Sequence, residues 1–146
     1  MWPWLVSGLV LAADQLTKAI VLDRLPPSEP LPVLPPVLYF TYIHNTGAAF
    51  GLFKGQQLLF IIVSLAVIAW MGWELAARAK PPLVMRWGCA LVLGGAIGNL
   101  YDRIFFGYVI DFIDFQIWPV FNIADSAITS GAVIIAYKCI RLSADK

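Results

Sequence analysis

A chain of 146 residues that is 60% hydrophobic and 13% charged, with a mean hydropathy of +0.79, lies outside the range of soluble domains of its size. A formal charge of +1 excludes the basic field that holds a nucleic-acid backbone, and with His44 as its single histidine the chain lacks the ligands of a histidine-based metal site. Because a spanning helix takes about 20 mostly apolar residues, there is room for about four spans and no separate soluble domain.

The first apolar run covers residues 4–22. Its start has the hydropathy of a secretory signal but no basic leading segment, and Asp14 and Lys18 follow directly, so it reads as a retained first helix. Asp14 and Lys18 are four apart on one helix face, at ion-pair spacing in the outer half of the span. Charges are costly in hydrocarbon, and either a structural pair or part of a functional site accounts for them. Six prolines in residues 26–36 forbid a helix and make the next loop extended and stiff. Residues 37–43 are β-branched and aromatic, and Asn45, Gly47 and Gly51 supply turn chemistry; a small β element on the outer membrane face and a plain linker both fit.

The second and third runs, residues 57–77 and 83–100, are joined by a connector holding Arg78, Lys80, Pro81, Pro82 and Arg86. The fourth covers residues 120–142, and Lys138, Arg141 and Lys146 lie in or beyond its end. In a bilayer each run must be helical to pair its own backbone. By the positive-inside rule the basic connector and tail are cytoplasmic, which puts both termini on that side and the loops 23–56 and 101–119 in the periplasm. Trp2, Trp4, Trp73, Trp87 and Trp118 fall near span ends, as interfacial anchors do. Cys89 and Cys139 sit inside apolar runs without CxxC spacing and read as packing, not as a redox or zinc site.

The polar residues within or beside the spans carry the chemistry. Gly94, Gly95 and Gly98 expose backbone to a neighbouring helix or to a substrate peptide. Asn99 and Arg103 share a face at the outer end of the third helix, where they can hold a peptide backbone, and Asp102 can pair locally. The fourth helix is expected to begin near Pro119 and to carry Asn122 and Asp125 on one face, with Asp125 roughly 9 Å along the axis. Asp111 lies in an apolar stretch, where a carboxylate needs a polar cavity; Asp125 is the expected neighbour. Two facing carboxylates split their proton affinities, so that one serves as acid and the other as base, which suits adding water to a peptide bond without a metal, cofactor or covalent nucleophile. Ser64, Ser126 and Ser130 lack a histidine or Ser-x-x-Lys partner. If residues 109–115 are extended, positions 111 and 114 point oppositely and Asp111 enters the cavity; if they are helical, Asp114 competes for the role.

Five blocks stand in order along the chain: Asp14-Gln15-Leu16-Thr17-Lys18; Asn45-Thr46-Gly47-Ala48-Ala49-Phe50; the run of residues 94–103; Val109-Ile110-Asp111-Phe112; and Phe121-Asn122-Ile123-Ala124-Asp125. Together they resemble the lipoprotein signal peptidase (signal peptidase II) family from end to end. The resemblance implies one integral-membrane peptidase domain over residues 1–146, an all-α membrane protein of four transmembrane helices with a small β-rich element on the periplasmic face. It implies an aspartic endopeptidase of the bacterial inner membrane, acting near the periplasmic face as a monomer among membrane lipids. Its substrates would be diacylglyceryl-modified prolipoproteins, cut just before the lipid-modified cysteine. Asp111 and Asp125 would be catalytic, Asn99, Arg103 and Asn122 would position the substrate or the pair, and Asp14, Lys18, Asn45 and Gly47 would support the site. The competing reading is a small four-helix proton-coupled transporter, whose carboxylates would sit near the midplane; here they gather at the outer boundary.

Overall fold

Four apolar runs become four long helices, as hydrocarbon requires of backbone that cannot hydrogen-bond to lipid. In the computed structural model, which describes residues 2–47, 53, 55–77 and 81–144 (side chains only as far as 141), they are α1 Trp2–Arg24, α2 Gln57–Ala76, α3 Leu83–Phe105 and α4 Ile123–Ala144. Each of the four is long and apolar enough to cross a membrane. The remaining strands, β1 Leu31–Leu34, β2 Leu38–Asn45 and β3 Val109–Asp114, form one antiparallel sheet in the order β1-β2-β3. Ala48, Ala49, Phe50 and Gly51 of the second block and its turn, and the basic residues Arg78, Lys80 and Lys146, lie outside the described residues.

α3 is the central helix, buried on most of its length, while α2 and α4 present apolar side chains such as Leu58, Trp73, Val133 and Ile140 outward. Backbone contact explains this placing. A methyl group at Gly94 would meet Ser7 O of α1 at 2.6 Å, and one at Gly95 would meet Ala124 O of α4 at 2.5 Å. The glycines are therefore filled by α1 and α4, and no room is left beside them for a substrate peptide, the alternative expected from sequence. Gly88 and Gly131 repeat the device towards the other end of the α3 and α4 pair, with Gly88 O lying 2.6 Å from the Cβ position of Gly131. Trp2 packs on Trp87 there, ring centroids 4.6 Å apart, and Arg86 lies over the Trp2 ring. Cys89 is buried as expected, whereas Cys139 is exposed on α4.

The end of the third helix and the start of the fourth differ from their expected positions, each for a local reason. The third helix runs beyond residue 100 to Phe105, closed by Phe106 N–H to Asp102 O at 2.8 Å and ended by Gly107 in the left-handed region at φ 82°. A glycine just past a helix end is a common stop signal. The fourth helix starts at Ile123 and not near residue 120, because Phe121 is held in extended backbone by a bridge to Ile113. The proline-rich loop is extended as expected and also supplies β1, an edge strand, where a missing N–H is tolerated.

Candidate active site

At the end of the bundle where α1 and α3 finish and α4 begins, the sheet closes over the helices through a small core of Val21, Tyr42, Ile110 and Phe112. A cavity of about 490 Å³ opens here, lined among others by Asn45, Gly47, Asn99, Arg103, Asp111 and Asp125. Residues from β2, α3, β3 and α4 thus converge on one space.

Asn122 is not on the helix with Asp125, as expected from sequence; it is the residue before it. Its Oδ1 accepts the Asp125 N–H at 2.8 Å, and Asp125 Oδ2 accepts the Asn122 N–H at 3.3 Å. This is the reciprocal arrangement of a capping box, so a first-turn carboxylate at a helix N-terminus is also the cavity acid. The Asn122 amide nitrogen donates to Asp111 Oδ1 at 2.7 Å, to Asn99 Oδ1 and to Ile110 O. One fully buried side chain therefore ties Asp111 to Asp125.

β3 is extended, and its two acids separate. Asp111, 2% exposed, accepts the Asn45 amide at 2.8 Å on Oδ2 and lines the cavity. Asp114 instead accepts Thr41 Oγ1 of β2 and both the backbone and side-chain N–H of Gln116, each at 2.8 Å. Burial, and after it the charge of Asp125, pushes the Asp111 carboxyl up to about 7; the Asn45 hydrogen bond, the Lys18 charge and the Asn122 hydrogen bond oppose the rise. Gly47 donates its N–H to Asn45 Oδ1 at 3.0 Å, which fixes the Asn45 amide with its nitrogen towards Asp111.

Behind the pair lies a second, closed cluster. Lys18, 1% exposed, places its three N–H groups on Asp14 Oδ2 at 2.8 Å, Asp102 Oδ2 at 2.7 Å and Asn99 Oδ1 at 3.1 Å. Asp14 Oδ1 accepts the Ala124 N–H of the first turn of α4 at 2.9 Å, and Asp102 Oδ2 accepts the Ile110 N–H of β3 at 3.1 Å. Each acid thus grips the element that carries one cavity carboxylate. Asn99, with Oδ1 taken by Lys18 and Asn122, turns its amide nitrogen to Asp125 Oδ1 at 2.7 Å. Asp102 pairs across to α1 and β3, not locally. Gln15 was not singled out from sequence; its amide bridges Asp14, Gly98 O and Asp102. A helical glutamine beside a charged pair reads as surface, and only its neighbour Asp14 hinted otherwise.

Arg103 lies over the Phe60 ring at 4.9 Å, gives one N–H to Asn99 O at 3.4 Å, and makes no direct ion pair among the described residues. Its guanidinium borders the first cavity and a second of about 290 Å³, lined by Phe60, Val63, Ser64 and Val67 of α2. Asn99, Asp125 and Ile128 also border both. Among the described residues no cluster of three or more His, Cys, Asp or Glu side chains is arranged for a metal ion.

The sequence profile of the signal peptidase (SPase) II family matches residues 6–141. A lipoprotein signal peptidase of Pelotomaculum thermopropionicum is 46% identical over 139 residues, covering 94% of this chain and 90% of its own. One from Moorella thermoacetica is 44% identical over 140 residues, covering 92% and 89%. A solved structure described as a bacterial membrane enzyme superposes with a TM-score of 0.92 at 32% identity, covering 99% of this chain and 90% of that one. With profile, relatives and fold in agreement over nearly its whole length, this chain belongs to the signal peptidase II, or lipoprotein signal peptidase, family.

Proposed function

We propose that the chain is an aspartic endopeptidase that removes the signal peptide from diacylglyceryl-modified prolipoproteins, cutting just before the lipid-modified cysteine. The observation that carries this reading is the Asn122 bridge, which holds Asp111 and Asp125 on one cavity, neither of them in an ion pair among the described residues. Such a pair keeps a single proton between its two members. A water held by both gives its proton to the ionised carboxylate as its oxygen attacks the scissile carbonyl, while the protonated partner hydrogen-bonds the carbonyl oxygen. Collapse of the tetrahedral species then delivers a proton to the leaving amine and restores the one-proton pair. Asn99, Asn122 and Asn45 are already spent on holding the carboxylates, so Arg103, with donors to spare at the junction of both cavities, is the group that holds substrate backbone.

The α2-lined cavity, apolar apart from Ser64 and the shared polar rim, suits an acyl chain arriving from the membrane. By the positive-inside rule, the basic connector between α2 and α3 and the basic tail support a cytoplasmic side for both termini and a site near the periplasmic face of the inner membrane, and we read the protein as a monomer among lipids. Purified protein should cleave a diacylglyceryl-modified precursor in detergent or vesicles, ignore the unmodified precursor, and keep its activity in strong chelators. Equal turnover of both precursors would refute lipid recognition, and loss of activity restored by zinc would refute the carboxylate mechanism.

A further inference from the structure

Residues 114–120 leave β3 and return to α4 as a small projecting loop, closed at its base where Ile113 and Phe121 exchange backbone hydrogen bonds at 2.8 and 3.1 Å. At the tip the Ile117 N–H bonds Phe115 O at 2.7 Å, around Gln116 with φ 65°. A side chain in that left-handed region carries a steric cost and stays there only where its surroundings hold it. Here the holder is Asp114, whose two oxygens take the Gln116 backbone N–H, the Gln116 amide and the Thr41 hydroxyl of β2. The acid that the cavity does not use is thus the clamp of this turn. What the clamp presents is apolar: Ile117 is 94% exposed, Trp118 60% and Phe115 38%. No charged residue occurs from position 115 to position 124, and the loop runs straight into α4, whose exposed large apolar side chains include Val133, Tyr137 and Ile140. The loop therefore leads without a charge into a spanning helix, and an isoleucine held outward beside the clamped Gln116 has lipid as its favourable surrounding.

We propose that the loop of Phe115, Gln116, Ile117 and Trp118 is inserted into the outer-leaflet lipid surface, a membrane anchor beside the cavity that Trp118 helps to line. This rests on the reading that α4 crosses the bilayer with the site at its outer end. The test uses full-length protein in phosphatidylethanolamine and phosphatidylglycerol vesicles, in a Cys139→Ser background where Cys89 is buried. Spin labels are placed singly at Ile117→Cys, at Val133→Cys in the middle of α4, and at Glu29→Cys in the exposed loop after α1. Collision with oxygen relative to a water-soluble nickel chelate should be several-fold higher at position 117 than at position 29, and nearer to that at position 133. A position 117 as open to the chelate as position 29, with position 133 lipid-exposed, overturns the anchor alone. A water-exposed position 133 overturns the spanning topology and the anchor with it.

Discussion

Two clusters of carboxylates lie side by side in this protein and are built to opposite ends. In the closed one, Asp14 and Asp102 flank Lys18, and all four carboxylate oxygens and all three ammonium protons are engaged. In the open one, Asp111 and Asp125 face a cavity without an ion-pair partner among the described residues, and their fixed partners are amides and backbone. A buried ion cluster survives only when every charge is answered, and a cluster so closed has no donor or acceptor left to offer a substrate. A like-charged pair is the reverse: it cannot ionise twice cheaply, so one proton is retained and shared between its members. The closed cluster grips β3 and α4 separately, and so sets the position of the carboxylates in the open one.

The largest effect should come from exchanging the roles of the two clusters by mutation. Asp111→Asn and Asp125→Asn should each lower single-turnover cleavage by at least about 10³-fold, because an amide neither takes the proton of water nor supplies one to the leaving amine. Their thermal midpoints in detergent should change little, since relief of the like-charge contact offsets the loss of one acceptor for the surrounding amides. Lys18→Met should do the opposite to the fold, costing about 3–5 kcal/mol by leaving buried carboxylates unanswered. A Lys18→Met protein that melts like the parent, or an Asp111→Asn protein that unfolds, would erase the distinction.

The contrast explains what could and could not be seen in the linear chain. Asp14 and Lys18 were legible as a pair because their link is one helical turn, and the four spans were legible because lipid imposes a single solution on an apolar run of that length. The grip of Asp102 on Ile110 and Lys18 was not, since Lys18 lies two spans away and Ile110 is reached only through the turn that folds β3 back on α3. The start of α4 was misplaced because Pro119 is an acceptable first-turn residue, whereas the sheet claims Phe121 for the Ile113 bridge and leaves Asn122 as the cap. Extended backbone in β3 separates Asp111 from Asp114, but residues 109–115 alone do not dictate it; pairing with β2 does.

A smaller effect, in pH and not in fold, sharpens the same comparison. Burial and the Asp125 charge raise Asp111 to about 7, so the folded protein holds this proton more tightly than the unfolded chain. The stabilisation that the proton gives is present below about pH 4, the usual carboxylate value, and is lost as pH rises through about 7. The shared proton needed for catalysis goes with it, so kcat/KM should fall on an alkaline limb centred near pH 7. Asn45→Ala removes a hydrogen bond that favours the ionised form, and its limb should move to higher pH. A limb that stays in place, or moves down, would mean that Asn45 does not act on the Asp111 proton.

The smallest effect belongs to the third acid of the neighbourhood, and it decides whether the pair is the right pair. Asp114 stands three residues from Asp111 on the same strand, yet its oxygens are spent on Thr41 and Gln116, and it does not border the cavity. Asp114→Asn keeps one carbonyl oxygen for the Gln116 N–H and turns an NH₂ towards the Gln116 amide and the Thr41 hydroxyl. The hydroxyl can rotate to accept, but the Gln116 amide loses its acceptor. That should cost about 1 kcal/mol of stability, the worth of one hydrogen bond, and change the cleavage rate by less than about threefold. Measured beside Asp111→Asn under single-turnover conditions, with equal membrane insertion confirmed, the two variants should differ by more than two orders of magnitude. An inactive Asp114→Asn next to an active Asp111→Asn would move the catalytic carboxylate from the cavity to the turn, and with it the boundary between the chemistry and the scaffold.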